Sequence, residues 1–335
     1  MNSLPTLDTV REAHERIADG LIQTPCAVSA PLSFVAGMTI IAKHDYQQVT
    51  GSFKERGARN ALLSLDTAAR RRGVIAASAG NHALGLAHHG AQLGIAVTVV
   101  MPRNAPRVKA GRCHALGAHV VLHGDTFAEA ASHAWSIANE RGLSFIHPFD
   151  DPVVMAGQGT MALEILEQTP DFDAMVVPVG GGGFLVGVAT VLKRLRPEVR
   201  IIGVEPAHAA SLSAALNAGR PVLTPTLPTL ADGLAVAQTG VNTFAAATRL
   251  VDRMITVSEE ELTLAMLTLY EHENLVVEGA GAAALAACLS GRLSELNGQR
   301  VVVPLCGRNI DPTPHARALF RARLFRDDRM ALAES

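Results

Sequence analysis

Val176-Val-Pro-Val-Gly180-Gly-Gly-Gly183-Phe-Leu-Val-Gly-Val-Ala-Thr-Val-Leu192 carries a short β-branched run into four consecutive glycines and then into an apolar helical pattern. A strand that ends in a glycine turn at the start of a helix is the repeating unit of an α/β fold. Backbone without side chains lets several N–H groups meet an anion at the positive end of that helix, so a phosphate is the natural guest. A turn that binds nothing does not repay the backbone entropy of four glycines. A dinucleotide fold is the rival reading, because Glu205 closes the next strand roughly 20 residues on, where a ribose-binding acid would sit. That pattern is incomplete, since Val186 stands where Gly or Ala is wanted.

Outward from this turn, β-branched runs alternate with Ala-rich helical patterns. Strands are predicted over 74–77, 95–100, 118–122 and 143–146, with helices over 81–92, 106–116 and 126–140 between them. A second series follows, with a helix from about 157, strands over 174–179, 200–204, 254–257 and 301–305, and helices over 184–194 and 259–270. The turn-rich segment His147-Pro-Phe-Asp-Asp-Pro152 is read as the crossing between the two. The fold class is therefore α/β, built from two open, mostly parallel twisted sheets with helices on both faces. Residues 1–64 and 150–335 are assigned to a large cofactor-binding domain, and 65–149 to a small substrate-closing domain.

The chain has 335 residues, 48% apolar and 18% charged, with 29 basic against 31 acidic side chains, a formal net charge of -2. Such a balance gives no electrostatic reason to expect nucleic acid or a membrane surface, and the partner is expected to be small. The four cysteines, Cys26, Cys113, Cys288 and Cys306, lie far apart with no C-x-x-C pair, which fits a reducing cytoplasm. No apolar run reaches the length of a membrane span, and no signal-peptide layout opens the chain. His114, His119 and His123 have a metal-like spacing but fall across a predicted strand, so no metal site is expected. No Gly-x-Ser-x-Gly or His-Glu-x-x-His run is present, which removes the commonest hydrolase and metalloprotease readings.

Two further turns carry chemistry. Gly51-Ser-Phe-Lys54-Glu-Arg-Gly57 places Lys54 in the first turn of a helical stretch, where the dipole disfavours a cation and favours a neutral, nucleophilic amine. An aldehyde cofactor that bears a phosphate needs both this amine and the glycine turn. Ala77-Ser-Ala-Gly-Asn-His82 lies between a strand and a helix; Ser78 and Asn81 serve there either as caps or, with free N–H groups, as a seat for a substrate carboxylate.

Together, Ser52-Phe-Lys54-Glu-Arg-Gly57, Ser78-Ala-Gly-Asn-His82, Gly157-Gln-Gly-Thr160, Gly180 to Gly183, Ala231-Asp-Gly233, Glu278-Gly-Ala-Gly281 and Cys306-Gly-Arg-Asn309 resemble the pyridoxal-phosphate serine/threonine dehydratases. These share fold type II, the tryptophan synthase β-like fold, with serine racemase. The resemblance implies that Lys54 holds pyridoxal 5'-phosphate as a Schiff base and Phe53 flanks it. Gly180, Gly181, Gly182 and Gly183 would cradle the phosphate, and Asn81 would bond the ring hydroxyl. Cys306 would stand at the pyridine nitrogen. Ser78, Ala79, Gly80 and His82 would line the substrate carboxylate site. Lys54 would remove the Cα proton while the β-hydroxyl leaves, protonated by the cofactor phosphate, to give a 2-oxo acid and ammonia. A homodimer or homotetramer is what the resemblance implies for assembly.

The departures from that family are informative. Cys306 replaces the usual Ser, keeping a neutral partner that leaves the ring nitrogen unprotonated and suits rapid β-elimination. Arg308 replaces Gly. Ala79 stands where serine racemases carry the second acid/base Ser, so racemisation lacks its second base. Ser211 stands where an Asp would complete a cation site with Glu205, so divalent-cation binding is expected to be weak or absent. The expected activity is that of an ammonia-lyase for L-threonine, L-serine or a related β-hydroxy amino acid. A specialised dehydratase of 3-hydroxyaspartate, phenylserine or a hydroxyectoine-derived amino acid is the alternative, with Arg308 or Phe149 shaping the pocket. Serine racemase and a non-catalytic ligand-binding relative stand behind these.

Overall fold

The computed structural model describes residues 4–103, 105 and 107–333. Ten strands form two sheets. Strands β1 (Cys26–Val28), β2 (Thr39–Lys43), β7 (Ala174–Pro178), β8 (Arg200–Pro206), β9 (Arg253–Val257) and β10 (Arg300–Pro304) make the larger one, in the order β1-β2-β10-β7-β8-β9. The smaller holds β3 (Val74–Ala77), β4 (Val97–Met101), β5 (His119–Leu122) and β6 (Ser144–Phe145), in the order β5-β4-β3-β6. All neighbours run parallel except β1 on β2. The α/β class with two mostly parallel sheets is thus the fold the chain adopts.

Both faces of each sheet are covered, which is why the strands read as continuous apolar runs. In the larger sheet Ile40, Val176, Val204 and Val303 face the helices Glu259–Glu273 and Gly279–Leu289, while Ile41, Val177, Ile201 and Val302 face Pro152–Gln168 and Gly183–Leu195. The smaller sheet packs Val74, Ala76 and Val99 against the helices Lys54–Leu63 and Asn81–Leu93, and Ile75 and Val100 against Phe127–Arg141.

Strands β3 to β10 fall where the sequence places them, to within about two residues at each end. The helix expected over 106–116 is Arg107–Ala115; Pro106 lies outside the described residues. The helix expected from 157 starts instead at Pro152, because Asp151 accepts from the N–H groups of Val153 and Val154 and proline suits the first helical position. His114 and His119 are exposed and His123 stacks on His133 at 3.8 Å, so these three histidines do not gather.

Parallel strands bring all their carboxyl ends to one edge, and ligands of such sheets bind where strand order switches. In the larger sheet β10, last in the chain, sits between β2 and β7, and the turns that follow these strands carry the chemistry-bearing residues.

Candidate active site

The segment leading to Lys54 is zipped to the turn after β10. Phe53 N–H donates to Cys306 O at 3.0 Å, Ser52 and Gly307 form an antiparallel bridge, and Arg308 N–H donates to Gly51 O at 3.0 Å. Asn309 Nδ2 adds a bond to Thr50 O at 2.8 Å. Lys54 is then the first residue of the helix Lys54–Leu63, and its Nζ donates to Pro148 O at 2.8 Å. Burial pulls the amine down to about 8, with Cys306 opposing. A lysine this close to neutral at physiological pH is a nucleophile and a proton acceptor.

Pro148 leads into Phe149, which backs the glycine turn. A Cβ on Gly181 would meet the Phe149 ring at 2.2 Å, and one on Gly183 would meet Phe149 O at 2.3 Å. Gly182 has φ +89°, a conformation that excludes most side chains. Phe53 and Phe184, which flank Lys54 and the turn, pack with ring centroids 4.6 Å apart. Lys54 and the glycine turn are thus linked through Pro148, which accepts from the amine, and Phe149, which backs Gly181 and Gly183.

The N–H groups of residues 180–185 find no acceptor among the described residues, although 181–185 are buried. Buried N–H groups without partners are costly, and an anion at this helix N-terminus satisfies them. A phosphate therefore fits the turn, and an aldehyde fits the amine. These are the two groups that pyridoxal phosphate carries.

The Ser78 to His82 turn closes the other side. Ser78 is half-buried, its N–H donates to Val100 O at 3.1 Å, and its Oγ accepts from Gly80 N–H at 3.2 Å. Gly80 has open space where a Cβ would stand, and Ala79 packs partly against the small sheet's core. His82 is 2% exposed with Nε2 at 3.2 Å from Ile146 O; burial, reinforced by Lys54, drops it to about 3. It is a neutral imidazole wedged behind the turn.

Asn81 lies at the centre of a polar chain. Its Nδ2 donates to Glu278 Oε1 at 2.6 Å and its Oδ1 accepts from Asn309 Nδ2 at 2.7 Å. Burial, reinforced by Asp232, pushes Glu278 up to about 7, against the hydrogen bond from Asn81. Cys306 is buried, its Sγ 3.6 Å from Pro304 O; burial first, then the charges of Asp45 and Glu278, hold it well above the ordinary thiol range. The group at this position is a neutral thiol.

Two of the departures concern Arg308 and the surroundings of Glu205. Arg308 is exposed, with its backbone rather than its guanidinium tied to Gly51. Glu205 is buried and its carboxylate is taken by the N-terminus of the helix Ser211–Ala218, with Leu212 N–H at 2.7 Å, Ser213 N–H at 2.9 Å and Ser213 Oγ at 2.6 Å. Sequence reasoning missed the roles of Glu278, Asn309 and Pro148. Glu278 and Asn309 stood in motifs but without partners to give them meaning, and a backbone carbonyl leaves no signal.

Residues 17–307 match the family described as pyridoxal-phosphate dependent enzyme. The chain belongs to that family. It is 45% identical over 306 residues to the L-threonine ammonia-lyase of Thermotoga maritima, covering 91% of this chain and 76% of the relative. Among solved structures, the processed form of threonine deaminase isoform 2 from Solanum lycopersicum superposes with a TM-score of 0.89 at 37% identity, over 96% of this chain and 91% of that one. Maize serine racemase gives 0.90 at 31% identity, over 97% and 100%. This pyridoxal-phosphate dependent enzyme thus has neighbours of both chemistries on one fold, and the choice between them rests on side chains.

Proposed function

We propose that this enzyme is an ammonia-lyase that converts L-threonine, L-serine or a related β-hydroxy amino acid to a 2-oxo acid and ammonia. The observation that carries the reading is the Lys54 amine, pulled to about 8 and tied through Pro148 to the residue that backs the unpaired N–H groups of the glycine turn. The electron sink that makes the Cα proton acidic is the chemistry that bound pyridoxal phosphate supplies.

The chain's own residues do the rest. Lys54 Nζ would hold the cofactor aldehyde and, once freed, take the Cα proton. The backbone of residues 180–185 would seat the phosphate, and Phe53 would flank the ring. Asn81, oriented by Glu278 and Asn309, would bond the ring hydroxyl, and the neutral Cys306 thiol would be the partner of the ring nitrogen. Ser78, Ala79 and Gly80 form the carboxylate seat, with His82 holding it from behind. Loss of the β-hydroxyl as water and later hydrolysis of the imine release the 2-oxo acid and ammonia.

Ala79, where the resemblance puts the second acid/base serine of the racemases, carries no exchangeable side-chain proton, which supports elimination over racemisation. Arg308 is exposed, which supports an ordinary β-hydroxy amino acid over a substrate with an additional buried anion. No helix among the described residues is long and apolar enough to cross a membrane, and the four cysteines are free; we place the enzyme in the cytoplasm as a homodimer or homotetramer.

The test is a substrate panel with 2-oxo acid detection and chiral analysis of residual serine. Supplied with cofactor, the wild type should show a visible absorption band that Lys54→Ala abolishes, and should release 2-oxo acid from threonine or serine. Turnover of neither overturns the reading, and D-serine accumulating faster than 2-oxo acid replaces it with racemisation.

A further inference from the structure

Behind the active site, the helices Lys54–Leu63 and Asn81–Leu93 approach closely. A Cβ on Gly85 would lie 3.2 Å from Ala58 Cβ and 3.4 Å from Glu55 Cα. That closeness lets Glu55 from one helix meet His88 and His89 from the other, with one donor atom from each within 4.8 Å of the other two. The side chains of Glu55 and His89 are fully buried.

The polar atoms here are incompletely satisfied. Glu55 Oε1 accepts from Thr50 N–H, but Oε2 has no hydrogen bond. His89 Nε2 stands 3.3 Å from that Oε2 without the alignment of a hydrogen bond, and the buried Nε2 of His88 has no partner among the described residues. A simple ion pair between Glu55 and His89 leaves His88 unexplained. At the other nitrogen of His89, Nδ1 has Gln92 Oε1 at 3.2 Å and Arg59 NH1 at 3.4 Å, and Arg59 NH1 also donates to Gln92 Oε1. With Nδ1–H shared onto Gln92, Nε2 turns its lone pair toward Glu55. An outer partner of this kind is what orients a metal-bound histidine.

We propose that Glu55, His88 and His89 form a binding site for a borderline transition-metal dication of the Zn2+ type. Two imidazoles and one carboxylate are the ligands such ions prefer, and three protein ligands leave a fourth position for water. Ligands bonded at about 2.0–2.1 Å in a tetrahedron stand about 3.3 Å apart, the separation of His89 Nε2 and Glu55 Oε2. The ion enters past His88, the half-buried member of the three. Lys54 Nζ is bonded to Pro148 O, whereas the Glu55 carboxylate accepts from Thr50 N–H and faces His89, so the ion occupies a site separate from the reacting amine. It clamps the first turn of the lysine helix to the helix that follows the Ser78 to His82 turn.

The experiment is equilibrium dialysis of the cofactor-loaded enzyme with Zn2+, and titration with Co2+ read at wavelengths beyond the cofactor band. Wild type should retain one Zn2+ per chain and give the intense Co2+ absorption of a four-coordinate ion. His88→Phe should bind at least tenfold more weakly and lose that absorption. Should His88→Phe fail to fold, the isosteric Glu55→Gln supplies the same comparison. No stoichiometric binding by wild type, or binding by the variant within tenfold of wild type, overturns the proposal.

Discussion

Lys54 Nζ donates to a backbone carbonyl and has no carboxylate partner among the described residues to hold its proton, so desolvation decides its charge. In the cofactor-free protein the rate of aldehyde capture should rise about tenfold per pH unit up to about pH 8 and level off above it, read by stopped-flow absorbance. A profile that keeps climbing to pH 10 would mean an ordinary lysine. Glu278 behaves in the opposite sense to a salt-bridged acid. Its folded pKa of about 7 lies above the unfolded value, so the folded state holds a proton the unfolded state has lost, and stability falls as pH rises from about 4.5 to 7. Glu278→Gln should remove that loss, and its Tm advantage over wild type should grow from pH 5 to pH 8 in calorimetry. At this scale the sequence showed the amine, the glycines and the Ser78 to His82 turn, because each is a contiguous string. Glu278, Asn309 and the pairing of Glu55 with His88 and His89 were illegible, because their meaning comes from partners on distant segments.

The glycine turn works as an element. Phe149 O cannot retreat from a Cβ on Gly183, since the Phe149 ring is packed against Gly181. Gly183→Ala should therefore weaken cofactor binding at least tenfold in a fluorescence titration while the protein remains folded; unchanged affinity would remove the turn from the phosphate site. The elements that the sequence hid share a physical cause. The helix Gly279–Leu289 is buried on nearly every side, so it shows no polar stripe to betray a period. Strand β2 ends in Lys43, which reads as a surface cation yet is 0% exposed, its Nζ bound to Thr24 O at 2.7 Å and Glu164 Oε2 at 2.7 Å.

Lys43 belongs to a buried network that joins three elements. Arg56, fully buried, takes Asp45 through Nε at 2.8 Å and NH2 at 2.7 Å, and Glu164 through NH1 at 2.6 Å and NH2 at 2.8 Å. Two cations and two carboxylates thus tie the lysine helix, the end of β2 and the helix Pro152–Gln168 into one body. Arg56→Met should leave Asp45 without its cation and Glu164 with Lys43 alone, and cost about 3–5 kcal/mol in denaturant unfolding. A cost under about 1 kcal/mol would show the acids free to take protons or reach water. The family motif displayed Arg56 beside Lys54, but not that it anchors the frame on which that amine is held.

The placement of β10 bears on how the chain is made. Its neighbours are β2, synthesised more than two hundred residues earlier, and β7. While a ribosome is still adding residues before 300, the larger sheet has a gap at its centre and the segment before Lys54 lacks the turn it zips to. The vitamin-derived aldehyde therefore has no finished berth on the nascent polypeptide, and such long-range closure makes for slow folding. Capture of the coenzyme therefore waits until β10 has been made and seated between β2 and β7.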